Sequence, residues 1–173
     1  MRWINAIGFQ AGWWACIASV SRGLELQAIV FCMAMAMAHL ALSKSPGHEF
    51  KLAVSVLLLG ILVDSTLQAF AVIRFHGRAI EPLSPFWIWA LWGLFALTLN
   101  SSLSFLQTMR PIVSMAAGLM LGPLTYFAGA QLGAAELQPT VLHALSVGFA
   151  WMLSLPLMVF LAQKYFSISQ GIS

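Results

Sequence analysis

The sequence predicts an all-α fold: a polytopic membrane protein, a bundle of about six transmembrane helices, with residues 1–173 forming a single integral membrane domain. Three observations carry that expectation. Hydrophobic residues make up 61% of the chain and charged ones 8%, with mean hydropathy +0.90, whereas soluble domains carry roughly 25% charged residues. Apolar stretches of the ~20 residues that cross ~30 Å of hydrocarbon recur between turn signals. One of them, Leu52–Phe75, holds an acid, Asp64, near its middle. A carboxylate at that depth costs roughly 2.5–3.5 kcal/mol unless it is protonated, paired or wetted. The face bearing Asp64 must therefore point inward, and neighbouring helices must wrap it.

The segments follow in order. The first, about Trp3–Val20, has the basic residue and apolar centre of a signal peptide, but Gln10, Trp13 and Trp14 sit where a signal core takes Leu and Ala. It reads as a mature helix. The second, about Leu24–Leu42, contains a Met-Ala alternation ending at His39, and Pro46-Gly47 then marks a turn. The third is the Asp64 helix, followed by a polar connection from Arg74 to Ser84. The fourth opens after Pro85 with Phe86, Trp87, Trp89 and Trp92, rings expected to anchor at the membrane interface, and continues to Met109 through Asn100, Ser101 and Ser104. Pro111 suits a first helical position and starts the fifth, about Ile112–Leu132. Gly118, Gly122, Gly129 and Gly133 lie on one stripe of it, as a close helix–helix contact requires, and Pro123 removes one backbone hydrogen bond. The sixth, about Thr140–Gln163, is interrupted by Pro156.

Charge and cysteine usage narrow the partners. The net charge of +3 is spread over scattered basic residues, which gives no nucleic-acid platform, and membrane lipids are the expected surroundings, with an oligomer also compatible. Cys16 and Cys32 fall inside apolar segments and read as small buried hydrophobes. With the N-terminus inside, Arg2, Lys44, Lys51, Arg110 and Lys164 lie on the cytoplasmic side, as both termini do, and Arg22, Arg74 and Arg78 lie outside.

In that topology a candidate polar pocket gathers in the outer half. Asp64 and Gln68 share a face at a spacing of four, and Tyr126 and His143 approach from segments five and six. Arg74, His76, Arg78 and Glu81 cap them. Asn100 is a further candidate, on segment four. For Gln68 and Asn100 the commoner role is packing, because buried amides in membrane helices contribute on average only ~0.6 kcal/mol. Asp64 is different, since an ionisable group at depth points to function by default. Proton or cation transfer through Asp64, or an intramembrane enzyme pairing Asp64 with His143, are the alternatives to a binding role. No HExxH, GxSxG or metal-ligand spacing occurs, so no catalytic residue, metal or cofactor is assigned. Cys32, Met35 and His39 share one helical face with a donor set suited to Cu(I), but a Met-Ala run is more often adaptable core filler.

Three stretches carry a resemblance: the opening Asn5-Ala-Ile-Gly-Phe-Gln-Ala-Gly-Trp-Trp-Ala-Cys16, the run Trp89-Ala-Leu-Trp-Gly-Leu-Phe-Ala-Leu-Thr-Leu99, and Gly122-Pro-Leu-Thr-Tyr-Phe-Ala-Gly129, with Asp64 between the first two. Together they resemble a domain-of-unknown-function family of small proteobacterial inner-membrane proteins. Members of that family are often encoded near cyclopropane-fatty-acid-synthase-like genes. The resemblance implies an inner-membrane location, no established activity, and an accessory or binding role in membrane lipid modification or envelope stress beside lipid-modification enzymes.

Overall fold

A computed structural model describes residues 2–169, with side chains to 165. It contains six helices: α1 (Arg2–Val20), α2 (Glu25–Leu42), α3 (Pro46–Ala69), α4 (Phe86–Leu99), α5 (Pro111–Gln131) and α6 (Val141–Ser169). A two-stranded antiparallel ribbon joins β1 (Arg74–Phe75) to β2 (Ala135–Glu136), with Arg74 opposite Glu136. Four helices, α2, α3, α5 and α6, are long and apolar enough to cross a membrane. Their outward faces carry Leu58, Leu62, Leu121, Leu124, Phe149 and Phe160, each more than half exposed. Apolar residues both inside and outside a bundle are what a lipid-facing helix presents.

The centre of the bundle is α4, which packs against α1, α2, α3 and α6. Its 14 residues reach roughly 21 Å at ~1.5 Å per residue, short of a ~30 Å span. The expected fourth segment therefore stops early, at Leu99. Beyond it Ser101 N and Leu103 N both turn back to the Thr98 carbonyl (3.0 and 2.8 Å), and the chain continues as a 3₁₀ turn, Ser104–Thr108. Serine and asparagine favour such local bonds over helix continuation.

Three further expectations are corrected. Segment three begins at Pro46 rather than Leu52, because proline at the first helical position needs no amide partner. It also ends at Ala69 rather than Phe75, where Ala71 adopts φ 55 and the chain enters the ribbon. Trp87 and Trp92 do not anchor at an interface: both are 4% exposed. Their indole N–H groups find internal acceptors instead, the His76 carbonyl for Trp87 (2.8 Å) and Asp64 for Trp92 (2.6 Å).

Three of the four glycines expected on the α5 stripe lie inside the helix. A Cβ on Gly118 would strike the Trp151 backbone carbonyl, one on Gly122 would lie 2.6 Å from Trp151 Cγ, and Gly129 faces Ile17 of α1. Gly148 answers from α6, close to the Leu119 carbonyl. Gly133 does not belong to the stripe. The helix has ended by then, and Gly133 takes φ +82 to turn the chain into β2, its N–H donating to the Ala130 carbonyl (3.0 Å).

Candidate functional site: an aromatic crevice around Asp64

Asp64 sits on the inward face of α3 and has no exposed surface. Its carboxylate accepts two hydrogen bonds, from Trp92 Nε1–H of α4 at 2.6 Å and from the Tyr126 hydroxyl of α5 at 2.5 Å. Each donor is held in turn. Gly60, one turn before Asp64, leaves the space that the Trp92 indole fills. Trp92 stacks on Trp151 of α6 at 4.9 Å and 18°, and Tyr126 meets Phe75 and Trp151 edge-on. The carboxyl thus ties α3, α4 and α5 together through two rings that aromatic contacts lock in place.

This cluster forms one wall of a cavity of about 90 Å³, several times the ~10–15 Å³ that one water needs. Phe9, Trp13 and Ile17 of α1 line one side and Thr125, Tyr126 and Gly129 of α5 the other, with Trp87, Leu91 and Phe95 of α4 behind. Because α1 packs on α2 and α4, while α5 packs on α6, α1 and α5 face each other across the cavity as its two lips. Thr125 at the rim is exposed. One donor in the wall has no well-formed bond: Trp151 Nε1 is buried beside the Tyr126 hydroxyl and makes no hydrogen bond of good geometry among the described residues. A buried N–H in that state loses ~1–3 kcal/mol, and an oxygen atom entering the crevice would recover it.

Of the other sequence-derived candidates, Gln68 and His143 line a second, larger cavity of about 740 Å³ at the ribbon end of the bundle, not the crevice. Asn100 is at the opposite end, where its Oδ1 accepts from Gln107 Nε2 (2.9 Å) beside Glu49. The expected single pocket is therefore three separate environments. Only Asp64 and Tyr126 meet, because Gln68 lies a turn beyond Asp64, toward the ribbon, and Asn100 lies roughly 12 Å along α4 from Trp92, the residue that reaches Asp64. The copper face also separates: the Cys32 thiol lies 3.6 Å from Cys16, and His39 Nδ1 lies 3.3 Å from Asn5 Nδ2. Both cysteines are buried and free.

Sequence reasoning missed Trp92 and Gly60. Their signal was present, since Gly60 lies four residues before Asp64 on the same helical face and marks a close approach, but nothing local says which ring approaches.

The ribbon region borders one end of the crevice, with Phe75, Ala134 and Ala135 among its lining residues. His76 clips it: Nδ1–H donates to the Gly133 carbonyl and Nε2–H to Glu136 Oε1, both at 3.1 Å. Only the imidazolium donates from both nitrogens. The Gly133 carbonyl first, and then the Glu136 carboxylate, hold the His76 pKa above its ordinary value. The clip's contribution is therefore complete below the unfolded pKa of ~6.5 and is lost as pH rises through the higher folded value. Hydrogen exchange at the Arg74 and His76 amides, which point into the ribbon, corrected for the intrinsic rate, is expected to speed up across that window. His76→Phe should exchange fast at every pH.

These features define a class: a small α-helical bundle with membrane-length helices and a carboxyl held in an aromatic crevice. Residues 2–157 match the family described as "Protein of unknown function (DUF2878)", and the chain belongs to that family. Comparisons with curated proteins and with solved structures returned no match.

Proposed function

We propose that the protein is a membrane-embedded binding protein that takes a segment of a lipid acyl chain into the crevice between α1 and α5. The observation that carries this reading is the crevice itself: apolar and aromatic walls, two helical lips, and a polar inner wall formed by Asp64, Tyr126 and the unmatched Trp151 N–H. Ligand sites have this character, mostly apolar with a few placed polar groups that fix orientation. An ester or carboxyl oxygen is the natural partner for the free indole N–H.

In this reading the protein serves membrane lipid modification or envelope stress as an accessory component. Its partners are membrane lipids and the enzymes that modify them. It resides in a bacterial inner membrane with both termini cytoplasmic, which five basic residues against three support.

The test is photocrosslinking in nanodiscs with a phospholipid bearing a diazirine on its acyl chain. Labelling should concentrate on peptides containing Phe9, Trp13 and Thr125. Gly129→Leu should cut it at least fivefold, because Gly129 lines the crevice and a leucine side chain there would fill it; its Cβ alone would sit 3.3 Å from the flexible end of Ile17. Even labelling of the outer residues Leu121, Leu124 and Phe149, unchanged by Gly129→Leu, would refute the reading.

A second reading rests on one observation: Asp64 is fully buried with hydrogen-bond donors but no cationic partner among the described residues. A carboxyl of that kind can carry a proton in a transporter subunit or an intramembrane enzyme.

A further inference from the structure

We infer that the 740 Å³ cavity at the ribbon end is a headgroup site for a zwitterionic phosphoamine, the polar part of the same amphiphile whose chain occupies the crevice. This rests on the crevice reading and names its ligand class. Two independent features point to it. The first is position: Ile73, Phe75 and Ala135 of the ribbon region line both cavities, so the polar vestibule and the apolar crevice adjoin there. An amphiphile needs that arrangement, with its headgroup on the ribbon and its chain beneath.

The second feature is charge. The vestibule is lined by Arg74, Glu81, His143 and the amides Gln68, Gln131 and Gln138. Among the described residues neither Arg74 nor Glu81 has an ion-pair partner, while the other lining acid, Glu136, is engaged by His76. One unpaired cation and one unpaired anion lining the same polar cavity match a phosphate joined to an ammonium, and they disfavour a ligand of single charge. His143 adds a donor. Thr140 Oγ1 accepts from the His143 backbone N–H at 3.3 Å and lies 2.5 Å from Nδ1, which leaves Nε2 as the ring nitrogen available to a ligand. Arg74 and His143 then hold the phosphate oxygens, Glu81 holds the ammonium, and the amides complete the hydration that the headgroup gives up.

The experiment measures lipid binding to the full chain in detergent by native mass spectrometry, with phosphatidylethanolamine and phosphatidylglycerol as probes. The wild type is expected to prefer phosphatidylethanolamine. Arg74→Gln should weaken both lipids at least tenfold, whereas Glu81→Gln should remove the preference and keep phosphatidylglycerol binding. Both side chains are exposed, so the fold is expected to survive, and circular dichroism checks it. If both variants bind like the wild type while Gly129→Leu still loses lipid, the headgroup assignment falls and the crevice stands. If Gly129→Leu also binds normally, the crevice reading has failed. Water-soluble glycerophosphoethanolamine is the remaining arm. Competition by it at concentrations equal to the lipid's would show a free headgroup compound as the ligand and overturn the amphiphile.

Discussion

Asp64→Leu is expected to be the most damaging single substitution in this protein. It removes the acceptor for Trp92 Nε1–H and for the Tyr126 hydroxyl, both enclosed by the bundle. Each buried donor left without a partner costs ~1–3 kcal/mol, so a loss of roughly 2–6 kcal/mol is expected, a large share of a stability of ~5–15 kcal/mol. Asp64→Asn should lose far less. Its carbonyl oxygen still accepts from Trp92, and its amide N–H can donate to the Tyr126 oxygen once that hydroxyl rotates. Thermal unfolding in detergent, followed by tryptophan fluorescence, should show a large drop for leucine and a small one for asparagine. Equal drops would mean that a negative charge, not merely an acceptor, is required. The asparagine variant also separates the two functional readings. In proteoliposomes with a trapped pH dye it should conduct no fewer protons than the wild type if the site binds lipid. Loss of a wild-type proton flux would favour transfer through Asp64.

Gly60→Ala should be nearly as severe, although it adds only one methyl group. Its Cβ would occupy the space now filled by the five-membered ring of Trp92. The indole is itself pinned by its stacking on Trp151 and by its bond to Asp64, so it cannot swing aside without losing both. Overpacking of this kind costs ~1–3 kcal/mol, and the displaced bond to a carboxylate adds ~1.5–3 kcal/mol. A second substitution, Trp92→Leu, should recover part of the packing loss in Gly60→Ala but none of the lost hydrogen bond. A double-mutant cycle on melting free energy would reveal the coupling, and simple additivity would show that the two sites are independent.

The sequence made some elements plain and hid others. Helices α2, α5 and α6 lie close to the predicted segments because long apolar stretches bounded by Pro, Gly and polar residues leave little choice of structure. The Gly118 and Gly122 contacts were also legible, since small residues at helical spacing leave a groove whatever fills it. The ends of segments three and four were not. Val72, Ile73 and Phe75 are as apolar as the helix before them, and only the pairing of Arg74 and Phe75 with Ala135 and Glu136 makes those two residues a strand. The tryptophans of α4 misled for a related reason. A ring at the start of an apolar helix suits an interface or a core equally well, and the choice depends on acceptors that other segments supply.

What the chain determined alone was the character of its helices and one internal constraint. With 8% charged residues its long helices are apolar on their outer faces as well, and a carboxyl in a membrane-length apolar segment must turn inward. Only the tertiary structure decided what meets that carboxyl and where the cavities lie. Hydrophobic patterning tells each helix which kind of surface it presents but not which neighbour it faces. The bonds from Trp92 and Tyr126, the gap between α1 and α5, and the ribbon where crevice and vestibule adjoin all join residues far apart in the chain, so they exist only once the helices have packed.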